Sequence, residues 1–253
     1  MNVSIKDLCF FRNKRPILQN IDAEFADGSI TAITGSNGSG KSTLLKLVAG
    51  LLRPASGAIT FDGQNINTLS AGSLAQKRAI LLQNPYAPPE MSVFELMKLA
   101  RFAMNGNRKY DRQAIDRALS DAGCADLTGR KTGTLSGGEL RKVFLAMALA
   151  QEPELLLLDE VEAGMDAAFC GQLPKFLHKL VAERRLTVIM VMHDLDLALH
   201  CATDILGIAG NKIGLSVKNS ADAIEELNNF FHGTMSISPE HDGSIGAKLN
   251  YLK

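Results

Sequence analysis

The segment Gly35-Ser36-Asn37-Gly38-Ser39-Gly40-Lys41-Ser42 has the pattern G-x-x-x-x-G-K-S, and it determines how the rest of the chain is interpreted. The residues before it, 29–34, are few and rich in β-branched side chains, which predicts a strand. After it, Leu44, Leu47 and Val48 recur at helical spacing, which predicts a helix. A glycine-rich loop between a strand and a helix is the context in which this pattern, the P-loop, binds phosphate.

Each part of the P-loop has a chemical role. The glycines let backbone N–H groups turn inward around phosphates, and the helix N-terminus adds a favourable field for negative charge. We expect Lys41 to reach the β- and γ-phosphates and the Ser42 hydroxyl to bind Mg²⁺. Nucleotide binding is therefore assigned to the loop and the residue after it: Gly35, Ser36, Asn37, Gly38, Ser39, Gly40, Lys41, Ser42 and Thr43.

Composition narrows the class of protein. The chain has 253 residues, enough for one large α/β domain with a core. Lys+Arg and Asp+Glu both number 27, so the formal net charge is zero, and a nucleic-acid partner is not expected. No apolar run approaches the roughly 20 residues that span a bilayer. The N-terminus does not resemble a secretion signal.

Four cysteines are present, at positions 9, 124, 170 and 201. None forms a C-x-x-C pair or stands at zinc-finger spacing from a histidine. We expect buried free thiols in a reducing cytosol.

An α/β pattern at both ends of the chain flanks a helical middle. Short strands are predicted at 3–11, 16–25, 58–61, 79–82, 155–158 and 187–192. Helices are predicted at 92–104, 111–122, 166–184, 195–200 and 221–231, and Pro174 is expected to kink the third. The predicted organisation is one domain, with a core at about 1–83 and 151–215, a helical subdomain at about 84–150 and an α/β tail at about 216–253.

The predicted strand at 155–158 ends in two acids, Asp159 and Glu160. Four leucines in a row predict a strand buried on both faces, and ligands of such sheets lie at the strand ends. Asp159 is expected to hold Mg²⁺ through water, and Glu160 to polarise the attacking water in phosphoryl transfer.

A second glycine motif, Leu135-Ser136-Gly137-Gly138-Glu139, precedes an amphipathic helix. Ser136 and Glu139 fit a capping box, which by itself would only begin a helix well. The two glycines also expose backbone N–H groups at a helix N-terminus, an arrangement suited to a γ-phosphate.

Taken together, these motifs resemble those of ATP-binding cassette (ABC) proteins. The likeness covers nearly the whole chain and runs in one order: the P-loop, Gln83, the Ser136 motif, Asp159-Glu160, Asp166 and His193. It implies an α/β fold with a P-loop NTPase core, a mixed sheet and a helical subdomain, that is, an ABC nucleotide-binding domain. It also implies ATP and Mg²⁺ as ligands.

The resemblance implies further roles. Two copies would pair head to tail, so that Ser136, Gly137 and Gly138 of one copy face the nucleotide of the other. Gln83 would contact Mg²⁺ or the attacking water, and His193 the γ-phosphate. Asp166 would lie at the dimer seam.

Two features depart from the family or leave its pattern open. Val161-Glu162 stand where the family usually has Pro-Thr, so an additional carboxylate lies near the acid pair. In the family an aromatic side chain, commonly Tyr, stacks on adenine, and here that role is assigned to Phe11, with Phe10 as the second choice. The alternative for either phenylalanine is that it only packs in the core as part of a strand.

A single nucleotide-binding domain resembles the ATPase of a transporter whose permease is a separate chain. The segments 127–139 and 193–198 and the tail resemble importers of iron–siderophore, haem and cobalamin chelates. Expected partners are membrane permease subunits, a second copy and, indirectly, a substrate-binding protein, at the inner face of the cell membrane. Other ABC transporter subclasses, for metal ions, vitamins or other solutes, remain alternatives, and a soluble non-transport ABC ATPase is a less favoured one. An inactive regulatory cassette is disfavoured because Lys41, Asp159, Glu160 and His193 are all present.

Overall fold

The computed structural model describes residues 1–104, 108–231, 235–240 and 243–250. Its strands are β1 Val3–Arg12, β2 Arg15–Phe25, β3 Ile30–Gly35, β4 Ser56–Phe61, β5 Gln64–Asn65, β6 Arg78–Leu81, β7 Leu155–Asp159, β8 Thr187–Val191, β9 Asp204–Ala209, β10 Lys212–Lys218, β11 Met235–Pro239 and β12 Ile245–Leu249. Its helices are α1 Lys41–Val48, α2 Ala71–Lys77, α3 Val93–Ala100, α4 Arg108–Asp121, α5 Gly137–Ala150, α6 Ala167–Arg184, α7 Leu195–Cys201 and α8 Ile224–Phe230.

A six-stranded sheet in the order β10-β9-β3-β8-β7-β6 carries the P-loop. Five of its strands are parallel and β10 is antiparallel to β9, so the predicted mixed sheet is confirmed. A separate antiparallel sheet, β2-β1-β4-β5, covers one side of the first, and β11 and β12 form a hairpin.

Strand β7 shows why an unbroken leucine run forms a strand here. Successive side chains of a strand point to opposite faces. Leu155 and Leu157 pack with α1 and the antiparallel sheet in one hydrophobic cluster. Leu156 and Leu158 pack into a second cluster with the helical half of the chain. Both faces of β7 are therefore core, as the sequence predicted for a parallel strand.

The middle of the chain is helical, and α3 to α5 pack on one another. Ser92 and Glu95 form the predicted capping box at the start of α3. Helix α3 ends at Ala100, earlier than predicted, and a short 3₁₀ turn follows at Phe102–Met104. Helix α2 was not predicted. Helix α6 is continuous from Ala167 to Arg184 with Pro174 inside it, and the kink at Pro174 stays a prediction.

The prediction that all four cysteines are buried is wrong for two of them. Cys124 and Cys201 are buried, whereas Cys9 and Cys170 are only partly buried, and all four are free. Burial raises the pKa of Cys124 and of Cys201 to about 12. In the described ranges, no helix is long and apolar enough to cross a bilayer, and no cluster of His, Cys, Asp and Glu could hold a metal ion on its own.

Candidate functional site

The P-loop connects the end of β3 to the start of α1, and its glycines are required by its geometry. Gly40 precedes α1 with φ +107°, a conformation that L side chains rarely adopt. A Cβ at Gly40 would lie 2.8 Å from Leu18 Cδ2, and one at Gly35 would clash with the Ile208 carbonyl. The backbone can therefore curl closely only with glycine at both positions.

Lys41 is the buried cation of this loop, only 6% exposed. Its ammonium donates hydrogen bonds to the carbonyls of Gly35 at 2.8 Å and Ser36 at 3.0 Å. Burial lowers its pKa, while the nearby carboxylates of Glu160 and Asp159 raise it. The charge thus lies within the curl of the loop and near the acid pair.

Ser42 and Asp159 meet across the base of the loop. The Ser42 hydroxyl donates to Asp159 Oδ1 at 2.8 Å. Asp159 is fully buried, and its Oδ2 has no hydrogen-bond partner among the described residues. Burial raises the pKa of Asp159, whereas the Ser42 hydrogen bond lowers it. A hydroxyl oxygen beside a carboxylate with one unused oxygen is a donor set that fits Mg²⁺.

Glu160 directly follows the last residue of β7, and its carboxylate is contacted by side chains from two separate loops. Gln83 Nε2 donates to Oε2 at 2.5 Å, and His193 Nε2 is 2.5 Å from Oε1. The Glu160 backbone has φ +54°, a left-handed conformation that is uncommon outside glycine. Such residues occur at functional sites where the surroundings hold them in place.

Arg141 holds this backbone and was not predicted from the sequence. It lies in α5 and is 6% exposed. Its guanidinium donates to the carbonyls of Gln83, Asp159 and Glu160. A signal was available in the sequence, because Arg141 shares the helical spacing of the buried Leu145. A buried cation in an apolar row needs partners.

These elements enclose a cavity of about 510 Å³ beside the P-loop. Its lining brings most of the predicted catalytic and phosphate-binding residues together: Asn37, Gly38, Gly40, Lys41, Ser42, Thr43, Gln83, Glu160 and His193, with Arg12 and Ile17 in addition.

Ser136, Gly137, Gly138 and Asp166 do not line this cavity. Ser136 is exposed at the start of α5, where Glu139 Oε2 accepts its backbone N–H at 2.8 Å. Asp166 caps α6 and forms an ion pair with Lys142 at 3.2 Å. The second glycine motif is thus a surface of the chain, separate from the site that its own P-loop forms.

The aromatic assigned to adenine lies near the cavity but does not line it. Phe11 is 44% exposed near the end of β1, next to the lining residue Arg12. Phe10 is partly buried against the hydrophobic cluster of β1 and α1, as expected of strand core. The assignment to Phe11 stays a prediction.

Comparison with known proteins identifies the class. The family described as ABC transporter matches residues 18–163. The achromobactin transport ATP-binding protein of Dickeya dadantii is 33% identical over 228 residues, covering 88% of this chain and 84% of that protein. The hemin import ATP-binding protein of Escherichia coli O157:H7 is 34% identical over 217 residues, covering 83% and 84%.

The chain therefore belongs to the ABC transporter family, as the motifs predicted. A solved ATP-binding subunit of an ABC transporter superposes with a TM-score of 0.81 at 21% identity, covering 91% of this chain and 94% of that one. This likeness confirms the predicted fold, an α/β ABC nucleotide-binding domain.

Proposed function

We propose that this chain is the ATP-hydrolysing subunit of an ABC importer that drives uptake of a metal chelate of the iron–siderophore, haem or cobalamin type. The observation that carries the enzymatic part is the Glu160 carboxylate, which faces the P-loop cavity between Gln83 and His193. The cargo class is supported by relatives that are transport ATP-binding proteins for achromobactin and hemin.

Within the cavity, the residues divide the work of phosphoryl transfer. Lys41 and the P-loop N–H groups bind the phosphates. His193 lines the same cavity, and the family resemblance assigns it to the γ-phosphate. Glu160 orients and polarises the attacking water, because a carboxylate accepts its proton best when held in place by neighbours. Gln83 holds the other carboxylate oxygen and lies at the entrance to the helical middle of the chain.

Ser42, Asp159 and Gln83 are the residues that would hold Mg²⁺. Bound Mg²⁺ would neutralise charge on the β- and γ-phosphate oxygens. The unpartnered, buried Oδ2 of Asp159 supports this assignment, because a buried carboxylate oxygen without a partner is costly.

The complete site requires two copies. Ser136, Gly137 and Gly138 do not line the chain's own P-loop cavity, and Ser136 and Gly137 are exposed. In a head-to-tail homodimer their N–H groups would face the γ-phosphate held by the partner copy, at the N-terminus of α5. Asp166, exposed at the start of α6, would lie at the seam.

The remaining partners follow from import. The dimer of this chain would bind membrane permease subunits and drive their conformational change. A substrate-binding protein would be an indirect partner of the chain. The chain would lie in the cytoplasm, on the inner face of the cell membrane. Tyr86, 80% exposed just after Gln83, would lie at the permease contact.

Glu160→Gln separates hydrolysis from binding, because the amide keeps the shape and loses the base. We expect Glu160→Gln to bind ATP and to hydrolyse it poorly. With ATP and Mg²⁺ it should accumulate as a dimer, measured by light scattering. Ser136→Arg placed in the Glu160→Gln variant should abolish that dimer, and the separate single variant Lys41→Ala should abolish hydrolysis. Wild-type hydrolysis in Glu160→Gln would refute the role of Glu160.

The permease contact is tested on the intact, copurified transporter. A cysteine at Tyr86 should crosslink to the permease, while a cysteine at Glu225, exposed on α8, serves as the control. Crosslinks from position 225 and none from position 86 would refute the placement.

A further inference from the structure

Glu160 is held by side chains whose own backbones must be fixed for the contacts to persist. Gln83 and His193 reach its carboxylate from two different loops, each at 2.5 Å. A hydrogen bond weakens steeply as donor and acceptor lose alignment. The direction of the Glu160 carboxylate therefore depends on where three backbone segments lie relative to one another.

Arg141 fixes two of these segments. Its guanidinium donates to the backbone carbonyls of Gln83 and Glu160, as well as to that of Asp159. The loop that carries Gln83 and the turn that carries Glu160 are thus joined through a single buried side chain. Arg141 makes no hydrogen bond to His193 within the described chain, so the third segment is fixed by another group.

Glu162 holds the third segment. Its Oε1 accepts the backbone N–H of His193 at 2.8 Å. The turn that presents Glu162 is itself ordered, because Ala163 N–H donates to the Glu160 carbonyl at 3.1 Å and Met165 N–H to the Glu162 carbonyl at 3.1 Å. Glu162 therefore ties the loop after β8 to the turn after β7.

The same carboxylate is poorly placed to act on substrate. Glu160 lines the P-loop cavity and Glu162 does not. The second oxygen of Glu162, Oε2, is buried and has no hydrogen-bond partner among the described residues. The oxygen of Glu162 that does make a hydrogen bond, Oε1, contacts a backbone N–H and not the cavity.

We propose that Glu162 is a positioning residue for ATP hydrolysis, which holds the His193 backbone so that the imidazole stays on the Glu160 carboxylate. This inference rests on the proposed ATPase function and deepens it. Where the family usually has Thr, this chain has a side chain long enough to cross from one loop to the next. As a positioning residue, Glu162 needs only an oxygen that accepts the His193 N–H. As a catalytic base, it would need the negative charge of its carboxylate.

Two variants of Glu162 separate the loss of the acceptor oxygen from the loss of the charge. Glu162→Ala removes the acceptor, and Glu162→Gln keeps a carbonyl oxygen and loses the charge. Glu24→Ala, an exposed glutamate on β2, is the matched control. Steady-state ATPase kinetics with Mg²⁺ give kcat and KM, and titration with a fluorescent ATP analogue counts the folded sites.

We expect Glu162→Ala to lower kcat per folded site about tenfold, the effect of losing one hydrogen bond to a charged group, with KM changed less than about threefold. Glu162→Gln should recover at least about a third of the wild-type kcat, and Glu24→Ala should match wild type.

Three outcomes would overturn the proposal. Wild-type kcat in Glu162→Ala would show that the contact is dispensable. Glu162→Gln as inactive as Glu160→Gln would assign the charge a direct role. A loss that vanishes when rates are divided by folded sites would make the contact purely structural. Failure of the ATPase function itself would look different, since wild type would then hydrolyse no ATP.

Discussion

Replacing Arg141 with methionine should lower the free energy of unfolding of the protein. The methionine keeps most of the apolar volume on α5 and removes the guanidinium that donates to three backbone carbonyls. Two of these hydrogen bonds, to Asp159 and Glu160, are buried, so water cannot replace the lost donor there.

The size of the effect follows from those two buried acceptors. A buried group left without its partner costs about 1–3 kcal/mol, which predicts a loss of about 2–6 kcal/mol in the free energy of unfolding. For a chain of this size that lowers Tm by roughly 5–20 °C. Arg141→Lys should recover only part of it, because an ammonium is a point donor and cannot span three carbonyls.

The assay is thermal and urea denaturation of purified protein, with Arg117→Met as the control. Arg117 is also an arginine of the helical middle, but its side chain is 61% exposed and its ion pair with Glu152 is 3.7 Å long. Exposed pairs contribute about 0–1 kcal/mol. If Arg141→Met and Arg117→Met unfold at the same temperature, the argument from the three carbonyls is refuted.

Two further predictions concern the P-loop and the C-terminal hairpin. Gly40→Ala should lower Tm and abolish binding of a fluorescent ATP analogue, because φ +107° costs a side chain about 1–3 kcal/mol and its Cβ would lie against Leu18; unchanged binding would contradict this. The pKa of His200 is raised from 6.5 by its contact with the Asp196 carbonyl and, less, by Glu240. Protonated His200 therefore stabilises the fold, and that stability is lost as pH rises through the raised pKa. The difference in unfolding free energy between wild type and His200→Gln should be larger at about pH 6 than at about pH 9, and a difference that does not change with pH would contradict it.

The sequence predicted the parts of the molecule that short-range chemistry determines. The P-loop, the buried strand before Asp159 and the capping boxes at Ser92 and Ser136 each depend on neighbours within about ten residues. Their residue types alone favour one local structure. The structure has both capping boxes, and β7 ends at Asp159.

The parts that were missed depend on contacts between distant segments. Helix α2 buries only Leu74, so it has no apolar periodicity to detect. Arg141 reaches carbonyls 18 to 58 residues away, and backbone acceptors leave no trace in side-chain pattern. Glu162 departs from the residue usual in the family, which the sequence shows, but its acceptor role toward His193 depends on how two turns meet.

The two carbonyls that hold the Lys41 ammonium have a consequence for ligand selection. Under the proposed function, these carbonyls would compete with the ligand, since a phosphate that binds Lys41 would displace hydrogen bonds that the loop already makes to this cation. Only the difference between the two sets of contacts adds to affinity. A nucleoside without phosphates offers nothing stronger than a carbonyl, so it leaves the lysine where it is. A triphosphate, with several charged oxygens, would replace the two carbonyls, so the proposed site would select ligands by phosphate charge before any contact with the base.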